Sequence, residues 1–312
     1  MAEYSPMMQH YLATKKQYND CILFYRLGDF YEMFFDDAIT VSKELELTLT
    51  GKDCGQEERA PMCGVPFHAA ETYINRLVSN GHKVAICEQM EDPKLAKGIV
   101  KREVIKVVTP GTNLNAQALD ETKNNYLFCI YYQGDVIGVS ICDFSTGDYF
   151  VTELKSENEL IDEINKFVPS EIIVNEYFAM SGIDLTAVNE KLNISMSTLE
   201  NWYFDEDSSI KKLLSHFKIS ALDGLGVKDY PTGIIAAGAL LTYLYETQKS
   251  DMSHIITLTP YTTGKYMLID SSSRRNLELV ETLREKQKRG SLIWVLDKTK
   301  TAMGARALRS MI

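Results

Sequence analysis

Hydrophobic and polar positions in the first third of the chain alternate between strand-like and helix-like patterns. The apolar run Cys21–Leu27 predicts a buried strand, and a helix-like spacing of apolar side chains begins at Asp36. A second helical pattern covers residues 69–78, and two further strands are predicted at 83–88 and 103–108. Alternating strands and helices are typical of an α/β unit.

Three strand patterns in succession open the middle of the chain. They lie at residues 126–132, 136–143 and 148–154. Glycine-containing turns separate them, which predicts an antiparallel meander. A helix at 157–167, a strand at 171–174 and a strong helix at 232–247 follow, so the second unit is also predicted to be α/β.

Helical patterns alone cover the last part of the chain. Residues 274–289 predict one long amphipathic helix, and a further helical stretch lies within 290–312. A chain of 312 residues is expected to hold two or three domains. We place them at residues 1–115, 122–250 and 255–312, the last being the incomplete start of an all-helical domain.

Composition narrows the class of protein. No run approaches the roughly 18 consecutive apolar residues of a membrane span, and no basic segment followed by an apolar run indicates a signal peptide. We therefore expect a cytosolic protein. Its six cysteines form no CxxC pair, and no histidine pair stands at zinc-ligand spacing, so reduced thiols and no metal site are expected.

Charge is distributed unevenly along the chain, whose net charge is −10. Residues 1–112 hold 13 Lys/Arg against 16 Asp/Glu, a net −3; residues 113–269 hold 10 against 22, a net −12; residues 270–312 hold 10 against 5, a net +5. A basic strip lies near the end of the first segment: Lys94, Lys97, Lys101, Arg102 and Lys106. Such a strip can bind phosphate, since screening confines fields to about 10 Å, but charge alone favours an ordinary solvated face.

The most informative segment is GDFYEMFF at residues 28–35, where four aromatic side chains follow a glycine break. Taken alone, the pattern favours a packed strand end over a binding site by about two to one, because aromatic side chains are mostly found in cores. Both interpretations stay open until the rest of the chain is considered.

This segment matches the GDFYE motif of the MutS family of DNA mismatch-recognition proteins. Further motifs that resemble the family occur in the same order: PMCGVPFHAAETYINRLV at 61–78, VAICEQMEDP at 84–93, KREVIKVVTPGT at 101–112, RRNLE at 274–278 and TKTAMGARALR at 299–309. The resemblance covers the whole chain and is weakest between residues 155 and 230.

The resemblance implies a mixed α/β mismatch-binding domain, a connector domain with a ribonuclease-H-like fold, and the start of a helical core and lever domain. In the family, the phenylalanine of the motif wedges beside the mispaired base from the minor groove, and the glutamate two residues later hydrogen-bonds to a mispaired base. These roles fall on Phe30 and Glu32. The resemblance also favours four basic residues of the strip as contacts to the DNA backbone: Lys94, Lys97, Lys101 and Arg102.

The family's ATPase is expected to be absent from this chain. Neither Gly51-Lys52 nor Gly264-Lys265 completes a GxxxxGK[ST] phosphate loop, so we expect no catalytic residue, no ATP or magnesium site and no ATP hydrolysis. The resemblance implies two partners, duplex DNA with a mismatch or small loop and a MutL-type protein that docks on the connector domain. It also implies a homodimer in the full-length protein and a bacterial cytosolic, nucleoid-associated location, whereas this chain is expected to be monomeric.

Of two other functions that the sequence allows, the first competes with mismatch recognition and the second complements it. A ribonuclease-H-like fold can carry a metal-dependent nuclease, and Asp143, at the end of the second meander strand, would be its first ligand. That chemistry needs three or four converging acids, and no companion is evident on the later strands. The second alternative is a protein-docking module, in which the acidic middle of the chain attracts a basic partner surface.

Overall fold

Two compact units make up the chain. In a computed structural model, the described residues are 4–91, 100–115, 120–263 and 269–312. The first unit comprises residues up to 113 together with 246–250, and the second comprises residues 114–245 and 251–312. Each contains a mixed sheet with helices, as the alternating patterns predicted.

The first unit is built on one six-stranded sheet. Its elements are α1 (Pro6–Gln17), β1 (Cys21–Leu27), β2 (Phe30–Phe34), α2 (Phe35–Leu45), β3 (Thr50–Lys52), β4 (Ala60–Pro66), a 3-10 turn (Phe67–Ala69), α3 (Ala70–Ser79), β5 (Lys83–Gln89) and β6 (Arg102–Val108). The strand order is β3-β4-β2-β1-β5-β6. Strand β1 pairs in parallel with β5, and the other neighbouring strands pair antiparallel.

Strand β2 contributes to the hydrophobic cores on both faces of this sheet. Tyr31 and Met33 lie in the core formed with α2 and α3. Phe34 lies in the opposite core, where its ring meets that of Tyr11 from α1 edge-on, with centroids 4.9 Å apart. Successive side chains of a strand point to opposite faces, so Met33 and Phe34, which are neighbours in the sequence, serve two different cores. The sequence pattern did not separate β2 from the helix that follows it directly.

The second unit contains another six-stranded sheet. Its elements are β7 (Tyr126–Gln133), β8 (Val136–Asp143), β9 (Asp148–Leu154), α4 (Glu157–Phe167), β10 (Glu171–Asn175), α5 (Glu176–Met180), α6 (Thr186–Leu192), β11 (Ser195–Leu199), a 3-10 turn (Asn201–Phe204), α7 (Glu206–Phe217), a 3-10 turn (Leu222–Leu225), α8 (Pro231–Gln248), β12 (Thr259–Pro260), α9 (Ser271–Asn276), α10 (Leu292–Leu296) and α11 (Ala302–Met311). The order is β11-β10-β7-β8-β9-β12. The predicted meander β7-β8-β9 is antiparallel, and β10, β11 and β12 each pair in parallel.

Helix α8 begins in close contact with the meander. The Glu153 carboxylate on β9 accepts hydrogen bonds from the backbone N–H groups of Thr232 and Gly233, at 2.6 and 3.2 Å. A negative charge at this end of a helix satisfies free amides and complements the helix dipole. Gly138 on β8 leaves the room for this approach, because a Cβ there would lie 2.3 Å from the Thr232 carbonyl oxygen.

The prediction of one long helix over residues 274–289 is wrong. Helix α9 ends at Asn276, and Glu278 and Lys286 both have φ 48°, a left-handed conformation that interrupts a right-handed helix. The chain then folds back, since the Leu292 amide donates to the Glu278 carbonyl at 2.9 Å. Apolar spacing predicted a helix here, but it cannot detect such local reversals. The all-helical character of the last domain therefore stays a prediction.

The cysteines are buried within the two units, and all six are free. Burial raises the pKa of the Cys63 thiol to about 11 and that of Cys87 to about 12, which keeps both in the protonated form at neutral pH. Among the described residues, no helix is both long and apolar enough to cross a membrane.

We expect Gly138→Ala to destabilise the second unit by about 2 kcal/mol, because the added methyl group collides with backbone atoms that cannot move independently of α8. Urea unfolding followed by circular dichroism measures the change. Gly224→Ala is the control, since no atom lies within 4 Å of a Cβ placed there. Equal stability of the two variants would show that β8 and α8 are not in tight contact.

Candidate nucleic-acid interface

Phe30 is the first residue of β2 and follows a two-residue turn. Leu27 pairs with Phe30 across the β1–β2 hairpin, so Gly28 and Asp29 alone form the connection. Gly28 has φ 60°, which a glycine adopts without strain and which suits the twist of a tight hairpin. The Phe30 side chain is 47% exposed, whereas Tyr31, Met33 and Phe34 are buried. Phe30 is therefore the most exposed residue of this strand.

The turn before Phe30 is held on both sides. The Asp29 carbonyl accepts a hydrogen bond from the Phe67 amide at 2.9 Å, and the Gly28 carbonyl accepts one from Arg26 Nε. The Arg26 guanidinium also lies 3.9 Å from the centre of the Phe67 ring. Cation–π stacking and two hydrogen bonds to carbonyls of the turn, one from a backbone amide and one from the Arg26 side chain, restrict the turn. The exposed ring of Phe30 is therefore held in a defined position.

Glu88 on β5 supports this arrangement from the neighbouring part of the sheet. Its carboxylate accepts a hydrogen bond from the Tyr31 hydroxyl and lies 3.4 Å from Arg26 Nη1. Burial and the hydrogen bond to Glu88 raise the pKa of Tyr31, so the hydroxyl remains a donor. Tyr31 and Arg26 are thereby fixed next to the turn through one acceptor.

Glu32 lies on the same face of β2 as Phe30, two residues further along. Its side chain is 16% exposed and forms an ion pair with Lys52 Nζ. Gly64 on β4 stands opposite Glu32, and a Cβ at that position would lie 3.5 Å from Glu32 Cγ. The face thus presents an apolar ring and, beside it, a carboxylate with one cationic partner.

The four basic residues predicted to contact DNA have different surroundings. Lys94 and Lys97 lie outside the described residues. The Lys101 side chain is exposed, and its Nζ lies 2.7 Å from a Glu103 carboxylate oxygen. Arg102 is only 8% exposed, and its guanidinium donates to the carbonyls of Arg26 and Val100, each at 2.9 Å. The structure therefore gives Arg102 two internal partners.

Arg26, Lys52, Phe67 and Glu88 were not singled out by the sequence. Each belongs to a different strand or turn, and pairing of β1 with β2 and β5 and of β4 with β2 and β3 brings them together. Lys52 was considered only as part of an incomplete phosphate loop. No spacing signal exists for contacts that depend on strand order, so only the motif residues themselves could be found beforehand.

Asp143 in the second unit is a structural residue of its turn. One carboxylate oxygen accepts hydrogen bonds from Asn124 Nδ2 and the Asn125 amide, and the other accepts from the Ser145 hydroxyl and amide and, at 3.3 Å, from the Thr146 amide. In the described ranges no group of three or more His, Cys, Asp or Glu side chains is placed to hold a metal ion. This geometry does not favour the nuclease hypothesis.

Three family models match successive parts of the chain. They are MutS domain I over residues 5–117, MutS domain II over residues 125–256 and MutS domain III over residues 272–312. The first two ranges cover most of the first and second sheets, and the third covers the three final helices.

Curated proteins named DNA mismatch repair protein MutS are similar to the chain along its length. The one from Lachnoclostridium phytofermentans is 64% identical over 100% of this chain and 34% of its own length. Those from Ruminiclostridium cellulolyticum and Acetivibrio thermocellus are 54% and 53% identical, each over 100% of this chain and 36% of their own. The chain therefore spans about a third of the length of these relatives.

Proposed function

The chain belongs to the MutS family, and on that premise we propose that it recognises mispaired or unpaired bases in duplex DNA by inserting Phe30 from the minor groove, with Glu32 contacting the mispaired base. The observation that carries the proposal is the exposed Phe30 ring on a restricted two-residue turn, with a carboxylate beside it on the same face. An apolar ring in this position has no core to fill and is available to stack on a base.

The energies of stacking and unstacking favour a mismatch over intact DNA. Stacking of a base on an aromatic side chain contributes about 1–3 kcal/mol. Opening a base step costs a few kcal/mol and least at a mismatch, so insertion is favourable only where pairing is already weak. The fixed turn adds to this, since a ring that is already positioned loses little conformational freedom on binding. Specificity then comes from deformability rather than from a base code, which suits the recognition of many different mispairs.

Glu32 adds discrimination of a second kind. A carboxylate near the phosphates of intact DNA meets only repulsion, whereas an unpaired base offers a hydrogen-bond donor to it. The hydrogen bond from a mispaired base to Glu32 thus stabilises the mismatched complex, whereas repulsion between Glu32 and the phosphates destabilises the homoduplex complex.

The proposal extends to the DNA backbone, the connector domain and the whole protein. Exposed Lys101 is the described basic residue that we assign to the DNA backbone; we do not extend the proposal to Arg102, and Lys94 and Lys97 stay predictions. The antiparallel meander continued by parallel β10 and β11 supports the ribonuclease-H-like connector assignment. For the whole protein we propose ATP hydrolysis with magnesium, homodimerisation and a cytosolic location, as the family resemblance implies.

We expect Phe30→Ala to reduce the ratio of mismatched to matched duplex affinity about tenfold or more, since the stacking energy is lost. Fluorescence anisotropy with two duplexes that differ at one base pair, at a single salt concentration, measures this ratio. Circular dichroism should be unchanged because the ring is exposed. Ile39→Ala is the matched control, since that side chain is 48% exposed on α2 of the same unit. An unfolded Phe30→Ala variant would support the core interpretation instead.

Glu32→Ala is expected to weaken binding of the mismatched duplex while homoduplex binding holds or rises, because the repulsive carboxylate is removed from both complexes. The same titrations measure both affinities. Glu71→Ala, which removes an exposed carboxylate from α3, controls for the change in net charge. Equal losses on both duplexes would indicate that Glu32 serves the fold rather than discrimination.

A second proposal concerns docking of a MutL-type partner on the second unit. Three apolar side chains are exposed here: Tyr177 and Met180 on α5, and Trp202 in the 3-10 turn that follows β11. A 2.7 Å hydrogen bond from Asn201 Nδ2 to Glu176 ties the two segments together. Exposed acids flank them, in a region of net charge −12, so the surface fits a partner with a basic rim around an apolar centre.

We expect Trp202→Ala to weaken capture of a purified MutL-type protein about tenfold, as truncation of a large central aromatic residue does at many interfaces. Ile256→Ala, at an exposed apolar side chain elsewhere in the unit, should have no effect. Raised salt should weaken the wild-type interaction if the acidic rim contributes. Unchanged capture by the Trp202 variant would remove this surface from the proposal.

A further inference from the structure

Lys52 contacts the carboxylate at the centre of the proposed interface. Its Nζ pairs with Glu32 Oε2, and the two side chains are 32% and 16% exposed. The same Nζ lies 5.7 Å from the centre of the Phe34 ring, the next side chain on that face of β2. Lys52 is therefore held between Glu32 and an aromatic ring while part of it remains accessible to solvent.

The sheet brings Lys52 to Glu32 from two strands away. Lys52 pairs with Ala60 at the end of β3, and β4 lies between β3 and β2. The residue of β4 opposite Glu32 is Gly64, which has no side chain to occupy this position. Lys52 lies opposite Ala60, four residues along β4 from Gly64, so its side chain reaches the Glu32 carboxylate obliquely across β4.

We propose that Lys52 is a positioning residue that sets mismatch specificity by acting on Glu32, a role that rests on the proposed function. It fixes the Glu32 carboxylate beside Phe30 and offsets the repulsion between that carboxylate and the DNA phosphates.

Lys52 is expected to offset this repulsion mainly in the complex with mismatched DNA. Insertion of Phe30 brings Glu32 into the minor groove, where phosphates lie on both sides and less water screens the charges. In a complex with undistorted DNA, Phe30 is not inserted, so the repulsion between Glu32 and the phosphates is still present but acts over a longer distance and through more water. Loss of the ammonium therefore leaves an uncompensated carboxylate chiefly where the base contact must form.

Lys52→Gln tests the proposal in the complete 312-residue chain. We expect the affinity for a mismatched duplex to fall about five- to tenfold and that for the matched duplex by less than about twofold. Lys52→Arg should restore most of the loss, because it returns the positive charge. Lys43→Gln, which removes an exposed lysine from α2, is the control for net charge and should leave the ratio of the two affinities unchanged.

A double-mutant cycle separates action through Glu32 from other roles of Lys52. When Glu32 is already Gln, the further change Lys52→Gln should have little effect on either duplex, so the two changes are strongly non-additive. Additive effects, or equal losses on matched and mismatched duplexes, would show that Lys52 contacts phosphate directly or stabilises the β3–β4 hairpin, and would overturn the proposal.

The outcome for the wild-type chain distinguishes this inference from the proposed function. Suppose that the wild-type chain prefers the mismatch and that Phe30→Ala removes this preference. If Lys52→Gln retains the preference, the proposed function stands and only the role of Lys52 fails. If the wild-type chain shows no preference for a mismatch at all, the proposed function fails, and the role of Lys52 fails with it.

Discussion

The two-residue turn between β1 and β2 fixes the position of everything around Phe30. A two-residue turn fixes the register of the hairpin, so the pairing of Leu27 with Phe30 decides which side chains of β2 face each core. With Tyr31 and Met33 on one face and Phe34 on the other, Phe30 lies at the hairpin end, beyond the reach of both cores. Arg26 and the Phe67 amide then hold the turn itself. A shift of one residue in this register would move the side chains of β2 from each core to the opposite one.

Paired charges, rather than a large basic surface, characterise the region around this turn. Glu32 pairs with Lys52, and Glu88 lies beside Arg26, so each of these two carboxylates near Phe30 has a cationic partner. The segment 1–112 carries a net charge of only −3. Electrostatic attraction to phosphate gives affinity for any duplex, whereas in the proposed function the paired charges beside the Phe30 ring change the relative affinity for different duplexes. The arrangement is consistent with a site that contributes selectivity more than strength.

Two glycines allow close helix packing in the second unit, whereas several large apolar side chains remain at its surface. Gly138 and Gly233 let α8 approach β8 and β9 closely, which buries the helix against the meander. In contrast, Tyr177, Met180 and Trp202 remain exposed near the β11 edge of the sheet. Exposed large apolar groups with acidic neighbours are characteristic of a protein-binding surface rather than of a metal-dependent active site. Asp143, whose two carboxylate oxygens are occupied within its own turn, fits the same conclusion.

The sequence by itself determined strands β1, β5 and β6 of the first unit, the meander and β10 of the second, and helices such as α4 and α8, because periodicity is a local property of the chain. Motif order pointed to Phe30 and Glu32 as candidate residues. The pattern did not predict β2, β3, β4, β11 and β12. Tertiary structure alone decided that Phe30 is exposed while its aromatic neighbours are buried, since burial depends on register and on which helix covers each face. It also placed Lys52, Arg26 and Glu88 beside them, through strand order that no spacing encodes. The reversal after α9 escaped the sequence pattern for a related reason: left-handed residues such as Glu278 leave no trace in hydrophobic spacing, yet they end a helix.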